Sequence, residues 1–171
     1  MTAALISRGK GRRAAIAAGA VTLGLLGLTA CDKPTPITTV TVGSHSESSE
    51  ATKGCRGDSK ELSQKDIQTC LNKESGEKIS VEPGQKVRIG VDPEVADSGW
   101  VVIAAGPVMN EPAKSTYRTF DGEELFAQKN EMGQPMPPKD EVTIAIVELG
   151  KGKGRNQGVK NMWHFTLKRE S

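Results

Sequence analysis

Cysteine and histidine are the side chains best suited to chemistry, and this chain of 171 residues has three cysteines and two histidines. Thiols can pair, bind a metal or accept a lipid, and imidazole can act as a base or a metal ligand. Cys55 and Cys70 do not have Cys-x-x-Cys spacing, and no histidine stands beside them at zinc-site spacing. Because the cysteine count is odd, at least one thiol has no disulfide partner within the chain. The sequence therefore predicts neither a metal site nor a cofactor.

Three short segments resemble catalytic or phosphate-binding motifs, but each lacks its companions. Gly57-Asp58-Ser59 has the form of the GDS esterase block, yet no strand precedes it and His164 lacks an aspartate three residues earlier. Residues 75–78 fit S-x-x-K of penicillin-binding enzymes without the other motifs of that class. Residues 150–158, GKGKGRNQG, lack the Ser or Thr and the helix that follow a P-loop lysine. We therefore predict no catalytic residue and no bound nucleotide.

The glycine-rich segment is of more interest for its charge. No acidic residue occurs between Glu148 and Glu170. Four of the cations in that interval lie in or next to the glycine-rich segment, namely Lys151, Lys153, Arg155 and Lys160. Two interpretations stay open: a solvated hairpin tip, or a surface that contacts anionic headgroups or cell-wall phosphate polymers.

The N-terminus has the three parts of a secretory signal peptide. A positive segment contains Arg8, Lys10, Arg12 and Arg13. An uncharged stretch of Ala, Gly, Leu, Val, Ile and Thr follows over residues 14–30, and no acidic residue occurs before Asp32. Its 17 residues lie at the lower limit of about 17–25 for crossing a bilayer. The stretch is therefore more typical of the apolar region of a signal peptide than of a permanent membrane anchor.

The signal peptide ends in Leu28-Thr29-Ala30-Cys31, which resembles the lipobox of bacterial lipoproteins. Cleavage between Ala30 and Cys31 would leave an N-terminal cysteine carrying a thioether-linked diacylglycerol and further acylation such as palmitate. Two acyl chains hold a protein stably at a membrane, where one is marginal. We expect a protein anchored to the outer face of the cell membrane after export by the Sec route, with Arg12-Arg13 leaving the Tat route open. The alternative is a plain secreted protein cut after Ala30.

Cleavage would change the net charge. The whole chain has 23 Lys+Arg and 21 Asp+Glu, a net charge of +2. Removal of residues 1–30 takes away four cations, which leaves 19 Lys+Arg against 21 Asp+Glu and a net charge of −2. Neither value argues for a polyanionic ligand, so no nucleic-acid partner is predicted. The length allows one modest domain and excludes two large ones.

Residues 31–54 are expected to be the lipidated cysteine and a flexible tether. The segment is rich in Ser and Thr, contains Pro34 and Pro36, and has no aromatic residue. As a flexible coil its reach is roughly 25 Å. The alternation over residues 37–42 leaves open an edge strand of the domain, and His45 is predicted to be solvated.

With Cys31 lipidated, Cys55 and Cys70 remain as an even pair in an oxidising compartment, and we predict that they form a disulfide. Between them, Ser63 has the position of an N-cap for a helix that runs to about Lys73. The disulfide would tie this helical segment, residues 55–76, to the rest of the domain.

From residue 78 onward, apolar residues alternate with polar ones, which is typical of antiparallel strands. Predicted strands are a hairpin-like pair over 79–81 and 87–91, then 99–105, 115–120, 141–149 and 159–168, with a helical patch at 122–128 and a loop at 131–140. On the last strand Trp163, Phe165 and Leu167 share one face and His164, Thr166 and Lys168 the other. We predict a single domain, residues 55–171, that is mainly β: an immunoglobulin-like antiparallel sandwich with one short disulfide-tethered N-terminal helix.

Two alternative functions follow from local features. Residues 92–100 resemble the first binding loop of chagasin-type cysteine-protease inhibitors, and an inhibitor requires an exposed loop at residues 97–100. An extracytoplasmic enzyme requires an exposed His164 in a pocket with a carboxylate and a serine.

The whole chain resembles the small actinobacterial, Streptomyces-like lipoproteins of a family of unknown function. The resemblance rests on CDKPTP after the cleavage site, TVTVG, the Cys55–Cys70 block, PGQKVRIGVDPEVADSGW, YRTF and WHFTL. It implies export and lipid anchoring, and it brings no activity and no catalytic residues. We therefore expect a membrane-anchored extracytoplasmic lipoprotein that acts as a non-catalytic binding or scaffolding module for an envelope protein or polymer.

Overall fold

The computed structural model describes residues 34–58, 60–74, 78–130, 132–152, 154 and 157–170. The predicted signal peptide, the cleavage site after Ala30 and the lipidation site at Cys31 lie outside these residues. The chain from Thr35 to Ser171 clusters as one compact unit.

Strands dominate the described residues, and the prediction of a mainly β fold is confirmed. In chain order the elements are β1 (Ile37–Val42), β2 (His45–Glu50), α1 (Gln64–Leu71), β3 (Lys78–Val81), β4 (Lys86–Val91), α2 (Pro93–Ser98), β5 (Trp100–Ala104), β6 (Tyr117–Asp121), α3 (Gly122–Phe126), β7 (Gln128–Lys129), β8 (Pro135–Met136), β9 (Glu141–Leu149) and β10 (Val159–Arg169).

The strands form two four-stranded sheets and one small pair. The first sheet has the order β2-β1-β4-β6, and all its pairs are antiparallel. The second sheet has the order β3-β10-β9-β5, in which β3 runs parallel to β10 and the other pairs are antiparallel. The short β7 and β8 pair with each other. β7 precedes the predicted loop 131–140, and β8 lies within it.

One hydrophobic core contains inward side chains from both sheets. Val40 and Ile89 of the first sheet and Trp163, Phe165 and Leu167 of the second are fully buried. A fully buried apolar side chain of this size stabilises the fold by roughly 1.5–3 kcal/mol. The period-two alternation that predicted the strands therefore arises from burial of one face of each sheet against the other.

The predicted tether is wrong for residues 37–50, which form β1 and β2. β1 lies between β2 and β4, and its Val40 and Val42 are buried. The Ser-rich β2 is held by its pairing with β1, in which Thr39 and Ser48 share a hydroxyl hydrogen bond of 2.7 Å. Composition suggested disorder, but Val, Ile and Thr favour strands when one face is buried. The folded domain thus begins near Thr35 and not at Cys55.

The predicted hairpin of β3 and β4 is also wrong, because the two strands lie in different sheets. The turn at Pro83-Gly84 carries the chain from the second sheet to the first, where β4 pairs with β1 and β6. β3 instead runs beside the end of β10, with Lys78 opposite Thr166. Alternation identifies a buried face but does not specify the neighbouring strand.

The Cys55–Cys70 disulfide is confirmed, with a Cα–Cα distance of 5.7 Å. It closes a segment that contains α1, whose N-cap Ser63 accepts a hydrogen bond of 3.2 Å from the backbone N–H of Asp66. Both cysteines are buried and pack with Met162 and other outward residues of β5, β9 and β10 in a second hydrophobic cluster. The disulfide-closed segment therefore covers part of the outer face of the second sheet.

The structure does not form the exposed loop at residues 97–100 that the inhibitor hypothesis requires. Residues 93–98 form α2, with Pro93 in the first turn, where proline is favoured, and Gly99 at φ 96° beyond its end. Trp100 is fully buried, and its indole N–H donates to the Ser115 carbonyl at 2.8 Å. A buried tryptophan cannot contact a protease, so this segment lacks the exposed aromatic of an inhibitor loop.

Candidate functional site

A polar cavity of about 670 Å³ lies on the outer face of the second sheet, beside the disulfide-closed segment. Its floor is formed by outward residues of β9 and β10, among them Thr143, His164 and Thr166. Its rim includes the residues that follow α1 and two lysines, Lys78 and Lys139. The sheet supplies a rigid floor because the opposite side of β9 and β10 is packed into the core.

His164 is the most unusual residue of the cavity wall. It is only 3% exposed, and its Nδ1 lies 2.8 Å from Thr52 Oγ1. Its Nε2 is buried and has no hydrogen-bond partner among the described residues. Burial lowers the pKa of His164 below its ordinary value, the Cys70 carbonyl opposes that shift, and the charge of Lys73 adds to it. The imidazole is therefore neutral at pH 7.

The cavity rim carries charges of both signs. Lys78 Nζ lies 3.1 Å from Glu141 Oε1, so this exposed pair adds little net charge. Lys73 donates to the Lys53 carbonyl. Lys139 is exposed and has no ion pair within the part of the chain that the structure describes. The wall thus offers ammonium and hydroxyl donors beside a neutral imidazole.

This geometry is suited to binding a polar ligand. The partner of His164 is the Thr52 hydroxyl, whereas an imidazole that acts as a base is normally oriented by a carboxylate. The buried His164 also differs from the exposed histidine that the enzyme hypothesis requires. Among the described residues, no group of three or more His, Cys, Asp or Glu side chains could hold a metal ion. The site has the form of a polar cavity on a sheet surface, which is a form that ligand sites commonly take.

The structure describes two of the four cations of the predicted basic tip, Lys151 and Lys160, and these two have different surroundings. Lys160 Nζ donates to Ser98 Oγ at 2.6 Å and lies 3.3 Å from Glu148 Oε1, so this half-exposed lysine is paired with a buried carboxylate. Lys151 is exposed, and its backbone N–H donates to Glu61 at 2.5 Å. Lys153 and Arg155 lie outside the described residues. Contact with an anionic surface stays a prediction for this hairpin.

The sequence did not predict that the carboxylate of Glu61 packs against the glycine-rich hairpin. The Glu61 carboxylate lies so close to Gly150 and Gly158 that a Cβ added at either glycine would meet it within 2.4 Å. The backbone of the hairpin therefore packs against a carboxylate of the same chain and donates a hydrogen bond to it. The only available signal was the pair of glycines at the two ends of the connection.

A buried polar contact was also missed. Glu148 is 4% exposed, and its Oε2 accepts a hydrogen bond of 2.7 Å from Asn161 Nδ2. Asn161 Oδ1 in turn accepts from the Gly57 backbone N–H at 3.1 Å, which joins the disulfide-closed segment to the sheet. A charged residue within the apolar strand EVTIAIVEL was the signal for this contact. The GDS-like motif lies at this joint, and its Ser59 is outside the described residues.

The sequence was compared with protein-family models, with curated proteins and with solved structures, and none of the three comparisons finds a match. The described residues contain no helix with the length and apolar character needed to cross a membrane.

Proposed function

We propose that this protein is an exported lipoprotein, held at the outer face of the cell membrane by lipid on Cys31, whose β domain is a non-catalytic binding module. The observation that carries the proposal is the buried Cys55–Cys70 disulfide. Disulfides persist in oxidising compartments outside the cytoplasm. The disulfide also accounts for two of the three cysteines, and the third closes the sequence LTAC.

The cavity supports the binding role. It brings exposed ammonium groups and threonine hydroxyls onto a rigid sheet, and it lacks a carboxylate that orients His164 within the described residues. The ligand class that suits these donors is an envelope protein or polymer with acceptor groups such as carboxylates or hydroxyls.

We also propose that the two sheets form an immunoglobulin-like sandwich. The strand order supports this assignment: β1, β4 and β6 lie side by side, while β5, β9 and β10 form the other sheet. In such sandwiches the first strand commonly divides between the sheets, and its second part runs parallel to the last strand. β3 runs parallel to β10 in this way. The chain departs from the simple pattern by the insertion of β2 and the disulfide-closed segment between β1 and β3.

Metabolic labelling with a palmitate analogue tests the anchor. The full-length protein is expected to be labelled, and the Cys31→Ala variant is expected to lose the label. The Cys55→Ala/Cys70→Ala double variant is the matched control, because it keeps Cys31 and should still be labelled per molecule. Equal labelling of the wild type and the Cys31→Ala variant would show that the anchor proposal is wrong.

Site-specific photo-crosslinking in cells tests the binding role. A photoreactive side chain replaces Lys139 at the cavity rim or, as the control, Thr119 on the outer face of the first sheet; both positions are exposed. We expect an adduct with an envelope component from position 139 only. Adducts at both positions, or at neither, would contradict the assignment of the cavity as the binding site.

A further inference from the structure

We infer that the anchored domain is held close to the bilayer with one defined end toward the lipid headgroups, so that the His164 cavity lies on the side of the domain, toward the end remote from the membrane. This inference rests on the proposed lipid anchor at Cys31. It replaces the long tether expected from composition with a short connection to a fixed point on the domain.

The connection between Cys31 and the folded domain is short. β1 begins at Ile37, so only five residues separate it from Cys31. An extended chain spans at most about 3.3–3.6 Å per residue, so the start of β1 lies within about 20 Å of the anchored cysteine. Pro34 and Pro36 stiffen this connection.

The chain joins the domain at a point that two hydrogen bonds hold in place. The backbone N–H of Ile37 donates to Asp92 Oδ2 at 2.8 Å, which ties the start of β1 to the residue that precedes α2. The indole N–H of Trp163 donates to the Pro36 carbonyl at 3.3 Å. Two elements thus hold the joining point, and the direction from which the chain reaches the domain is set by the fold.

Several loops lie at the same end of the domain as the start of β1. Thr38, at the start of β1, pairs with Val91, the last residue of β4. α2 then leads to Trp100, the first residue of β5, which pairs with Glu148 near the end of β9. The β9–β10 hairpin follows directly. The joining point, α2 and this hairpin therefore lie at one end of the domain.

The cavity extends toward the opposite end of the second sheet. Its walls include Lys78 and Glu141, the first residues of β3 and β9, and Gly106, which follows the end of β5. These positions belong to the opposite end of the second sheet. β9 has nine residues, and at about 3.4 Å per residue its two ends lie roughly 27 Å apart. The floor residue His164 lies opposite Ala145, at the middle of β9. The cavity therefore extends along the side of the domain from its middle to the end remote from the membrane.

The end of the domain that would face the membrane, with the start of β1, α2 and the β9–β10 hairpin, is not strongly basic in its described residues. Lys160 is paired with Glu148, Glu61 lies against the hairpin backbone beside Lys151, and Asp97 is exposed. The short connection is therefore expected to set the orientation on its own, without attraction to anionic lipid. The same orientation is expected on neutral and on anionic membranes.

Fluorescence quenching tests this orientation on the full-length lipidated protein in vesicles. A fluorescent side chain is placed at the position of Lys151, at the facing end, or of Lys139, at the cavity; both positions are exposed. Nitroxide groups on the lipid headgroups are expected to quench most of the emission from position 151 and little from position 139. Similar quenching at both positions, or stronger quenching at 139, would overturn the inference.

A lengthened connection and a comparison of neutral with anionic vesicles separate the effect of connection length from that of lipid charge. Insertion of about 20 Gly/Ser residues after Asp32 is expected to reduce the difference between the two positions, because the connection then becomes a flexible coil. A difference seen only with anionic vesicles would overturn the short connection as its cause. Palmitate labelling of the same samples distinguishes the two proposals: an unlabelled protein contradicts the anchor, whereas a labelled protein with equal quenching contradicts only the orientation.

Discussion

At the scale of the residue, His164 is a buried imidazole with one hydrogen bond. Thr52 satisfies Nδ1, while Nε2 faces no partner among the described residues. Protonation would place a charge beneath the disulfide-closed segment and near Lys73. The domain therefore resists protonation of this residue, and the cost of that protonation is measurable as stability.

We expect the free energy of unfolding to decrease as the pH falls from about 7.5 to about 5.5. The pKa of His164 is lowered in the folded state, so the unfolded chain binds this proton more readily once the pH falls below about 6.5. The contribution is full above that pH and is lost progressively as the pH falls toward the lowered pKa. Urea unfolding at the two pH values, with the His164→Gln variant as the control, measures the effect.

The variant should show a smaller decrease than the wild type, and an equal decrease would contradict this assignment. Carboxyl groups act in a different range. Asp121 and Glu170 have a lowered pKa because Lys86 and Ser80, respectively, donate hydrogen bonds to them. Ordinary carboxyl pKa values are near 4, so these groups affect stability only at lower pH.

The side on which His164 lies could be predicted from the sequence, but its burial could not. Alternation along the last strand correctly separates Trp163, Phe165 and Leu167 from His164 and Thr166. The residue opposite His164 Nδ1 is Thr52, which is 112 positions away in the chain. Period-two patterns specify a face of a strand, and they carry no information on which distant segment covers that face.

At the scale of the element, β1 shows that composition can conceal a strand. Its neighbours are Ser, Thr and Pro, and only two valines and one isoleucine mark the segment 37–42. The strand forms because β4 and β2 satisfy its backbone on both sides. A segment at the middle of a sheet is thus specified by its partners more than by its own residues.

Val40→Ala is expected to lower the free energy of unfolding by about 2 kcal/mol, because it removes two methyl groups from a fully buried site. Thr39→Ala is the matched control on the outer face of the same strand, and we expect a loss of about 0.5 kcal/mol. Chemical denaturation of both variants measures the difference. Equal losses would restore the hypothesis of a flexible tether.

The disulfide is expected to stabilise the domain by about 3 kcal/mol, since it links residues 15 positions apart. The Cys55→Ala/Cys70→Ala double variant should therefore unfold at a lower urea concentration than the wild type. It should also show faster amide exchange in α1 than in β9, because α1 packs on the sheet through the disulfide cluster. Unchanged denaturation midpoints would show that the sheet holds this segment without the covalent link.

At the scale of the whole molecule, processing is expected to reverse the sign of the net charge. Loss of residues 1–30 changes the net charge from +2 to −2. Isoelectric focusing should place the processed protein on the acidic side of the unprocessed chain. A protein that begins at Thr35 is the control, and it should focus close to the processed form because Asp32 and Lys33 cancel. A mature protein that keeps a positive net charge would contradict cleavage before Cys31.

The fold class could be predicted for the whole molecule, whereas the sheet partners could not. β9 and β10 were predicted almost to the residue, because their alternation is long and their connection is rich in glycine. β3 was assigned to the nearest strand in sequence, but it pairs with the last strand of the chain. Local patterns specify elements, while the pairing of β3 with β10 is a contact between distant segments that only the assembled core specifies. The cavity is a product of the same long-range packing, since its floor and rim come from separate elements.

The central position of β10 sets the time at which the domain can fold. Its Trp163, Phe165 and Leu167 are fully buried, and β3 has no partner in the second sheet until β10 is present. Ribosomes and membrane exporters deliver a chain N-terminus first. The core therefore cannot close until β10 has emerged. Under the proposed export by the Sec route, the chain would stay unfolded during its passage, and folding would follow the arrival of β10.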